Sequence, residues 1–249
     1  MELKLISFNI RCCDDKDGNS IKERAPRLAE VTKKYDADII GFQEFTVPWE
    51  KEIATFYPEY EMYNKYRSVN ELEGAPILWK RGVLELLDTG YFWLSDTPEV
   101  ESKGWDEKFN CYRICMYVIL EENESKKRFC FMNTHYGFGD KGQSDSGKLI
   151  YKYSKKISDL PTFITGDFNM KPDSVGYSVI TEHFKDVNKA TLNYTGTTFH
   201  NYAPETQDQH IDYCFINDKV TPVKTTLLDQ TFDGKYPSDH FGLLFELKI

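Results

Sequence analysis

Short apolar runs separated by polar or turn-forming residues recur along the whole chain, and this pattern predicts many buried β-strands. Such runs occupy residues 3–10, 38–43, 76–80, 84–94, 112–120, 128–134, 161–165, 211–216 and 241–249. Apolar residues at helical spacing predict helices at 23–35, 48–56, 141–159 and 175–183. Many of the strands are apolar on both faces, which is typical of two packed sheets with helices outside. Periodicity alone favours α/β and α+β folds equally.

The chain has 249 residues, of which 40% are hydrophobic, and it shows no internal repeat, low-complexity tract or Pro/Gly/Ser linker. We therefore expect one domain over residues 1–249 with a sizeable core. The six cysteines lack zinc-type spacing, so we interpret them as reduced core thiols. No apolar run is long enough to span a membrane, and the N-terminus lacks a signal-peptide pattern. These features predict a soluble cytoplasmic protein, and nothing indicates an obligate protein partner.

The formal net charge is -9, which argues against a strongly basic nucleic-acid scaffold. A local positive groove is still compatible with this charge, and a bound cation could supply positive charge where a phosphate binds. The charge therefore disfavours polyanionic substrates without excluding them.

Polar side chains suited to metal or phosphate chemistry lie at the ends of several predicted strands: Asn9, Glu44, His135, Asp167 with Asn169, Asp212, and Asp239 with His240. Strand side chains alternate with a period of two, so Asp167 and Asn169 point the same way. Each residue alone could serve only a turn or a cap. Ligands, however, commonly collect at the strand ends of layered folds. Together these residues predict hydrolysis of a phosphate ester assisted by a hard metal ion.

Six short stretches resemble the endonuclease/exonuclease/phosphatase family, which includes deoxyribonuclease-like enzymes, and they occur in the family order. They are Ser-Phe-Asn at 7–9, Gly-Phe-Gln-Glu at 41–44, Asn-Thr-His at 133–135, Gly-Asp-Phe-Asn at 166–169, Ile-Asp-Tyr at 211–213 and Ser-Asp-His at 238–240. The segments at 91–98 and 103–106 are similar to a bacterial subgroup of that family. The resemblance implies a four-layer αββα sandwich of two packed mixed β-sheets flanked by helices. The site would lie at one end of the paired sheets.

The resemblance also implies a metal site. Glu44 would be the principal Mg²⁺ ligand, with Asn9 and Asp239 in its coordination shell. Ligation by oxygen alone suits Mg²⁺ or Mn²⁺.

The same resemblance implies catalytic roles. Asp167 would orient or deprotonate the attacking water, and Asn169 would hold that water or the phosphate. His135 and His240 would donate hydrogen bonds to the phosphoryl oxygens as charge builds. Asp212 would orient His240, since a histidine needs a partner that fixes its tautomer.

Four further residues match the family or its subgroup with an alternative left open. Glu73 would orient the first histidine, although Glu71 is close in sequence. Arg113 would face the phosphate or would be a surface strand cation. His200 is predicted to line the cleft, and Trp105 is predicted either to pack in the fold or to bind substrate by stacking.

The chain departs from the family after the first histidine, where it reads Tyr-Gly-Phe-Gly-Asp at 136–140, and the helix that follows lacks an expected arginine. Both departures touch the rim of the site and therefore concern the identity of the substrate. We predict a Mg²⁺-dependent phosphoester hydrolase acting on a phosphorylated small molecule, a lipid or a nucleic acid. A nuclease is the alternative. A catalytically silent binding module is disfavoured because both Glu44 and Asp167 are present.

Overall fold

A computed structural model describes residues 1–191, 196–203 and 209–249. The strands are β1 (Glu2–Asn9), β2 (Ile39–Gln43), β3 (Phe45–Thr46), β4 (Tyr60–Tyr63), β5 (Glu73–Gly74), β6 (Ile77–Lys80), β7 (Leu84–Trp93), β8 (Ile114–Glu122), β9 (Arg128–His135), β10 (Thr162–Asp167), β11 (Lys185–Asp186), β12 (Asp212–Ile216), β13 (Thr221–Leu228) and β14 (Gly242–Lys248). The helices are α1 (Ile21–Lys33), α2 (Val47–Phe56), α3 (Asp140–Ile157), α4 (Val175–Thr181) and α5 (Val187–Thr191). Every strand and helix predicted from the sequence is present.

The strands form two mixed sheets of six, ordered β13-β14-β1-β2-β6-β4 and β11-β12-β10-β9-β8-β7, and β3 pairs with β5 separately. Each large sheet contains one parallel pair, β1 with β2 and β9 with β10. Because parallel neighbours need a crossover, α1 connects the first pair and α3 connects the second. The parallel pairs bring their carboxyl ends to the same edge, where Asn9 lies beside Gln43 and Asp167 beside His135.

Three apolar clusters show that the layers follow the predicted αββα order. One cluster joins the two sheets and includes Leu5 and Phe131. A second packs α1 and α2 onto the first sheet, and a third packs α3 and α4 onto the second sheet. Both faces of the central strands are therefore covered, which explains why those strands are apolar throughout. The predicted four-layer sandwich is confirmed.

A buried polar contact joins the two sheets directly beneath the strand ends. The Asn133 amide donates to the Phe42 carbonyl at 2.7 Å, and its oxygen accepts from Gln43 at 2.8 Å and from Thr165 at 3.0 Å. A Cβ at position 41 would lie 2.8 Å from the Asn133 side chain, so Gly41 permits the approach. These hydrogen bonds hold the ends of β2, β9 and β10 in a common register, because buried polar groups must be paired. None of the described helices is long and apolar enough to cross a membrane.

Candidate active site

A cavity of about 590 Å³ opens at the edge where the strand ends meet. Its lining contains many of the residues predicted to act on a phosphate ester, namely Glu44, Glu73, Arg113, His135, Asp167, Asn169, Asp239 and His240. Asn9 and Asp212 are buried immediately behind this lining and contact it through hydrogen bonds. Ten of the twelve predicted site residues therefore come together at one place.

Asp167, the last residue of β10, is the centre of the group. Its Oδ2 accepts from the Asn9 amide at 3.0 Å, and its Oδ1 accepts from the Asn169 backbone N–H at 2.9 Å. The Nε2 atoms of His135 and His240 lie 3.5 and 3.7 Å from Oδ2. Burial raises the pKa of Asp167 to about 7, and the nearby Asp212 carboxylate adds to the rise. This carboxylate can therefore exchange a proton near neutral pH.

His240 forms a close pair with Asp212. Its Nδ1 lies 2.9 Å from Asp212 Oδ2, and both side chains are almost fully buried. Asp212 begins β12 directly opposite Asp167, so strand register sets the distance between the two carboxylates. Burial opposes the charged ring, but Asp212 and then Asp167 outweigh it and raise the pKa of His240 to about 10. His240 is therefore a cation at neutral pH.

His135 lies in the opposite electrostatic environment. Its Nδ1 is 3.6 Å from Glu73 Oε1, which is too long for a good hydrogen bond. Arg67 approaches the same Glu73 oxygen at 2.6 Å and Arg113 lies 4.0 Å from it. Burial and the positive charge of Arg113 lower the pKa of His135 well below its usual value. His135 is therefore neutral, and it can still donate one N–H.

The carboxylates of Glu44 and Asp239 also line the cavity, and Asn9 links Glu44 to Asp167. Glu44 accepts from Asn9 Nδ2 at 3.1 Å and from the Cys12 backbone N–H at 2.9 Å. Its φ of 59° is left-handed, a conformation that side-chain-bearing residues adopt at a cost, and these two hydrogen bonds hold it there. Such constrained residues are common in active sites.

Arg11 is a site residue that the sequence interpretation did not select. Its guanidinium lies 3.6 Å from Asp239 and 4.0 Å from Glu44, and it makes two hydrogen bonds to Asp15 at 3.0 and 3.2 Å. The backbone of Arg11 has a left-handed φ of 63°. The feature of the sequence that could have identified Arg11 is its position two residues after the end of β1.

Two sets of residues could hold a metal ion. Asp167, Asp212 and His240 offer ligand atoms within 4.8 Å of one another. However, the His240 imidazole already donates to Asp212, and this set mixes nitrogen with oxygen. Glu44 and Asp239 offer only carboxylate oxygens, which are the ligands that Mg²⁺ and Mn²⁺ prefer. Cationic and amide side chains line the same cavity. The second set therefore fits the predicted ion better.

The structure does not bring His200 or Trp105 into the cavity lining. His200 is fully buried, and its ring packs 4.1 Å from that of Phe241, because the segment folds inward against the last strand. Its Nδ1 accepts from the Tyr202 backbone, so it braces this segment. Trp105 is half-buried beneath the ammonium of Lys141, 5.6 Å from its ring. Neither side chain therefore lines the cavity as the structure describes it, and the position of Trp105 agrees with the packing alternative.

Asn169 and Arg113 occupy the cavity in ways that their sequence positions did not reveal. The Asn169 amide donates to the Tyr136 carbonyl at 2.9 Å, and its backbone φ is left-handed at 50°. Arg113 is buried and pairs with Asp106 at 3.1 Å, so it is not the surface cation that was the alternative. Lys108, Phe109 and Arg67, which also line the cavity, lie on loops that carry no periodic signal.

Comparison with known proteins agrees with this geometry. The Endonuclease/Exonuclease/phosphatase family profile matches residues 6–240. An endonuclease/exonuclease/phosphatase family protein of Bacteroides thetaiotaomicron is 27% identical, with a TM-score of 0.93 over 99% of this chain and 97% of that one. A mannosyl-6-phosphatase of the same species is 26% identical, with a TM-score of 0.92 over 99% of this chain and 100% of that one.

Among curated proteins, the CCR4-Not complex 3'-5'-exoribonuclease subunit Ccr4 of Aspergillus niger is 23% identical. The match covers 89% of this chain and 46% of that longer protein. The family profile extends over nearly the whole chain, and the residues it spans include the strand ends that build the cavity. The chain therefore belongs to the endonuclease/exonuclease/phosphatase family and is a hydrolase of phosphoric esters.

Proposed function

We propose that the chain is a Mg²⁺-dependent phosphatase of small phosphorylated compounds. The observation that carries the proposal is the buried Asp167 carboxylate, which lies between one cationic and one neutral histidine and shares Asn9 with Glu44. An acid, a base and hydrogen-bond donors around one point are the groups that hydrolysis of a phosphate ester needs.

In this proposal each residue has one task. Glu44 and Asp239, with Asn9 nearby, hold the ion, which supplies positive charge to a phosphoryl oxygen when bound. Asp167 accepts the proton of the attacking water, and Asn169 helps to hold the phosphate or that water. His240 and His135 donate hydrogen bonds to the phosphoryl oxygens. These donors stabilise the negative charge that develops on those oxygens during attack.

The charges that line the cavity favour a small substrate over a polyanion. Besides His240, four cations and four carboxylates line it: Arg11, Arg67, Lys108, Arg113, Glu44, Glu73, Asp167 and Asp239. The three arginines are already paired with carboxylates. Nucleic-acid binding needs several cations that are available to phosphates. A single phosphate group opposite one divalent ion is a better match, and a mannosyl-6-phosphatase is among the structural relatives.

A nuclease is the second candidate, and the similarity to the Ccr4 exoribonuclease subunit favours it. The family includes both nucleases and phosphatases, so membership of the family does not separate the two functions. The lining charges described above favour the phosphatase.

The test is a hydrolysis panel with Mg²⁺, Mn²⁺ or a chelator. The substrates are mannose 6-phosphate, glycerol phosphate, a lipid phosphodiester, single- and double-stranded DNA, and RNA. We expect release of inorganic phosphate from the small monoesters, and we expect the chelator to abolish it. Cleavage of DNA or RNA without phosphate release from any monoester would establish the nuclease instead.

The metal assignment has its own control. Glu44→Gln should raise the Mg²⁺ concentration needed for half-maximal activity by about tenfold or more, because a charged oxygen ligand is lost. Glu30→Gln is the matched variant, since it changes an exposed glutamate of α1 that is outside the cavity lining. An unchanged Mg²⁺ titration for Glu44→Gln would contradict the assignment.

A further inference from the structure

The cavity extends beyond the reacting groups, and one side of this extension has a composition of its own. Lys108, Phe109 and Phe138, here called the aromatic wall, line the same cavity as Asp167 and Glu44. We propose that the aromatic wall binds the leaving group of the substrate and that this group is a hexopyranose ring. The inference rests on the proposed phosphatase function, which it makes more specific.

The geometry of the wall is that of a ligand surface. Phe109 is 60% exposed, so its ring is accessible to a ligand in the cavity. Its ring centroid lies 5.4 Å from that of Phe138 in an edge-on arrangement. The Lys108 ammonium lies 4.9 Å from the centre of the Phe109 ring and 4.5 Å from that of Phe138. Apolar faces and one cation are thus presented together.

The wall is held in place by buried contacts. The Asp106 carboxylate accepts from the backbone N–H groups of Lys108 and Phe109, both at 2.9 Å, and pairs with Arg113 at 3.1 Å. The Glu107 backbone N–H donates to the Phe138 carbonyl at 3.0 Å. A Cβ at position 137 would lie 2.7 Å from Asp106 Cβ, so Gly137 allows the two loops to touch. A surface built in this way is ordered before the ligand arrives, which lowers the cost of binding.

The family departures noted in the sequence coincide with this wall. Phe138 and Gly137 belong to the stretch at 136–140 that differs from the family pattern after the first histidine. Trp105, which does not line the cavity, lies next to Asp106 and packs behind the wall under Lys141. Part of the wall, Phe138 with its neighbour Gly137, therefore lies in the stretch where this chain departs from the family pattern.

Two further residues, Phe199 and Asn201, also line the cavity, and the Phe199 ring lies 5.0 Å from that of His240. A leaving group attached to a phosphate at the two histidines would therefore be flanked by apolar rings and by amide and ammonium donors. A pyranose ring has this mixture, because its C–H faces pack on aromatic rings and its hydroxyls accept and donate hydrogen bonds.

Other leaving groups fit less well. Among the described residues Lys108 forms no ion pair, so beyond His240 at the reacting phosphate it is the lining cation available to a leaving group, and a run of phosphates needs more. Lipid chains offer no partners for the ammonium and the amide. A pyranose ring can pack on the aromatic rings, and its hydroxyls can form hydrogen bonds with both the ammonium and the amide.

The experiment compares kcat/KM for glucose 6-phosphate or mannose 6-phosphate with kcat/KM for glycerol phosphate, which has no ring. The wild type should prefer the hexose phosphates. Phe109→Ala and Lys108→Met should each lower this preference by about tenfold, since an aromatic contact or a charged hydrogen bond is lost. Matched controls are Phe232→Ala, a 40% exposed phenylalanine outside the cavity, and Lys34→Met, a lysine over Tyr35. Both controls should keep the wild-type preference.

A binding measurement separates this inference from the proposed function. Calorimetry of glucose 6-phosphate with Asp167→Asn, with and without Phe109→Ala, reports the wall without turnover, and the added variant should weaken binding by about tenfold. If no phosphomonoester is hydrolysed, the proposed function fails while this arm still tests the wall. An unchanged preference and unchanged binding in Phe109→Ala, or a wild-type preference for a nucleoside monophosphate, would overturn the inference.

Discussion

His240 and His135 contact the same carboxylate from two sides, and their environments shift their pKa values in opposite directions. His240 Nδ1 lies 2.9 Å from Asp212, and among the described residues no arginine forms an ion pair with that carboxylate. The pKa of His240 therefore rises to about 10. Burial lowers the pKa of His135 and the positive charge of Arg113 adds to the fall, while the nearest carboxylate, Glu73 at 3.6 Å, is shared with Arg67 and Arg113. A carboxylate beside a histidine therefore raises its pKa only where other cations do not neutralise it.

The two histidine rings therefore have different roles in the proposed reaction. The His240 cation adds a full positive charge near a phosphoryl oxygen, and the neutral His135 adds one oriented N–H. The site thus keeps one charged and one uncharged donor within 4 Å of Asp167, with distances of 3.7 and 3.5 Å. Two cationic rings there would repel each other and would hold Asp167 too firmly ionised to accept a proton.

The largest expected effect comes from removing the group that both histidines share. Asp167→Asn should lower kcat/KM by about a thousandfold or more, because the proposed base is lost. The single amide oxygen can accept from Asn9 or from the Asn169 backbone but not from both, so one hydrogen bond is lost and the melting temperature should fall moderately while the fold is retained. Steady-state kinetics and a melting curve measure both quantities. Turnover equal to wild type would sink the assignment of Asp167.

An intermediate effect should come from Asp212→Asn. In the wild type, kcat/KM should rise with pH as Asp167 ionises near about 7 and fall as His240 loses its proton near about 10. Asp212 raises both pKa values, so its neutralisation should move both limbs of the pH profile to lower pH. The matched variant Glu73→Gln should leave the falling limb in place. A falling limb at the same pH in Asp212→Asn would contradict the role given to Asp212.

The smallest effect is expected from Arg67→Met. Arg67 is one of the cations that lower the pKa of His135, and its removal also frees a share of the Glu73 charge. The pKa of His135 should therefore rise, as followed by NMR titration of its ring protons, while kcat/KM changes by less than about tenfold. Lys65→Met, outside the cavity lining, is the control. A lower or unchanged pKa of His135 would show that burial alone sets the shift.

The regular elements could be predicted because their apolar runs reflect burial on both faces. Strand β13 was missed, since it lies at the edge of its sheet and carries Pro222 and Lys224 among exposed positions. The strand-end residues could also be predicted as a set, because parallel and antiparallel register brings Asp167 level with His135 and with Asp212. The order of apolar and polar residues within short stretches was therefore enough to predict these elements and the residues at their ends.

The loop residues of the cavity could not be predicted in the same way. Arg11 reaches Asp239 through a left-handed backbone, and the aromatic wall depends on the buried pair of Asp106 and Arg113. His200 was expected in the cleft, yet it turns into the core against Phe241. Loop conformation depends on contacts with distant segments, and no local periodicity records them.

The sequence by itself determined the layered fold, the strand-end chemistry and the family, because each of these follows from residue type and order along the chain. Only the tertiary structure decided which histidine is charged, because the pKa values depend on how Arg67 and Arg113 surround Glu73 while Asp212 faces His240 without such cations. It also decided what lines the rest of the cavity. Electrostatic interactions and loop packing depend on distances between residues in the folded chain, and the order of residues does not give those distances.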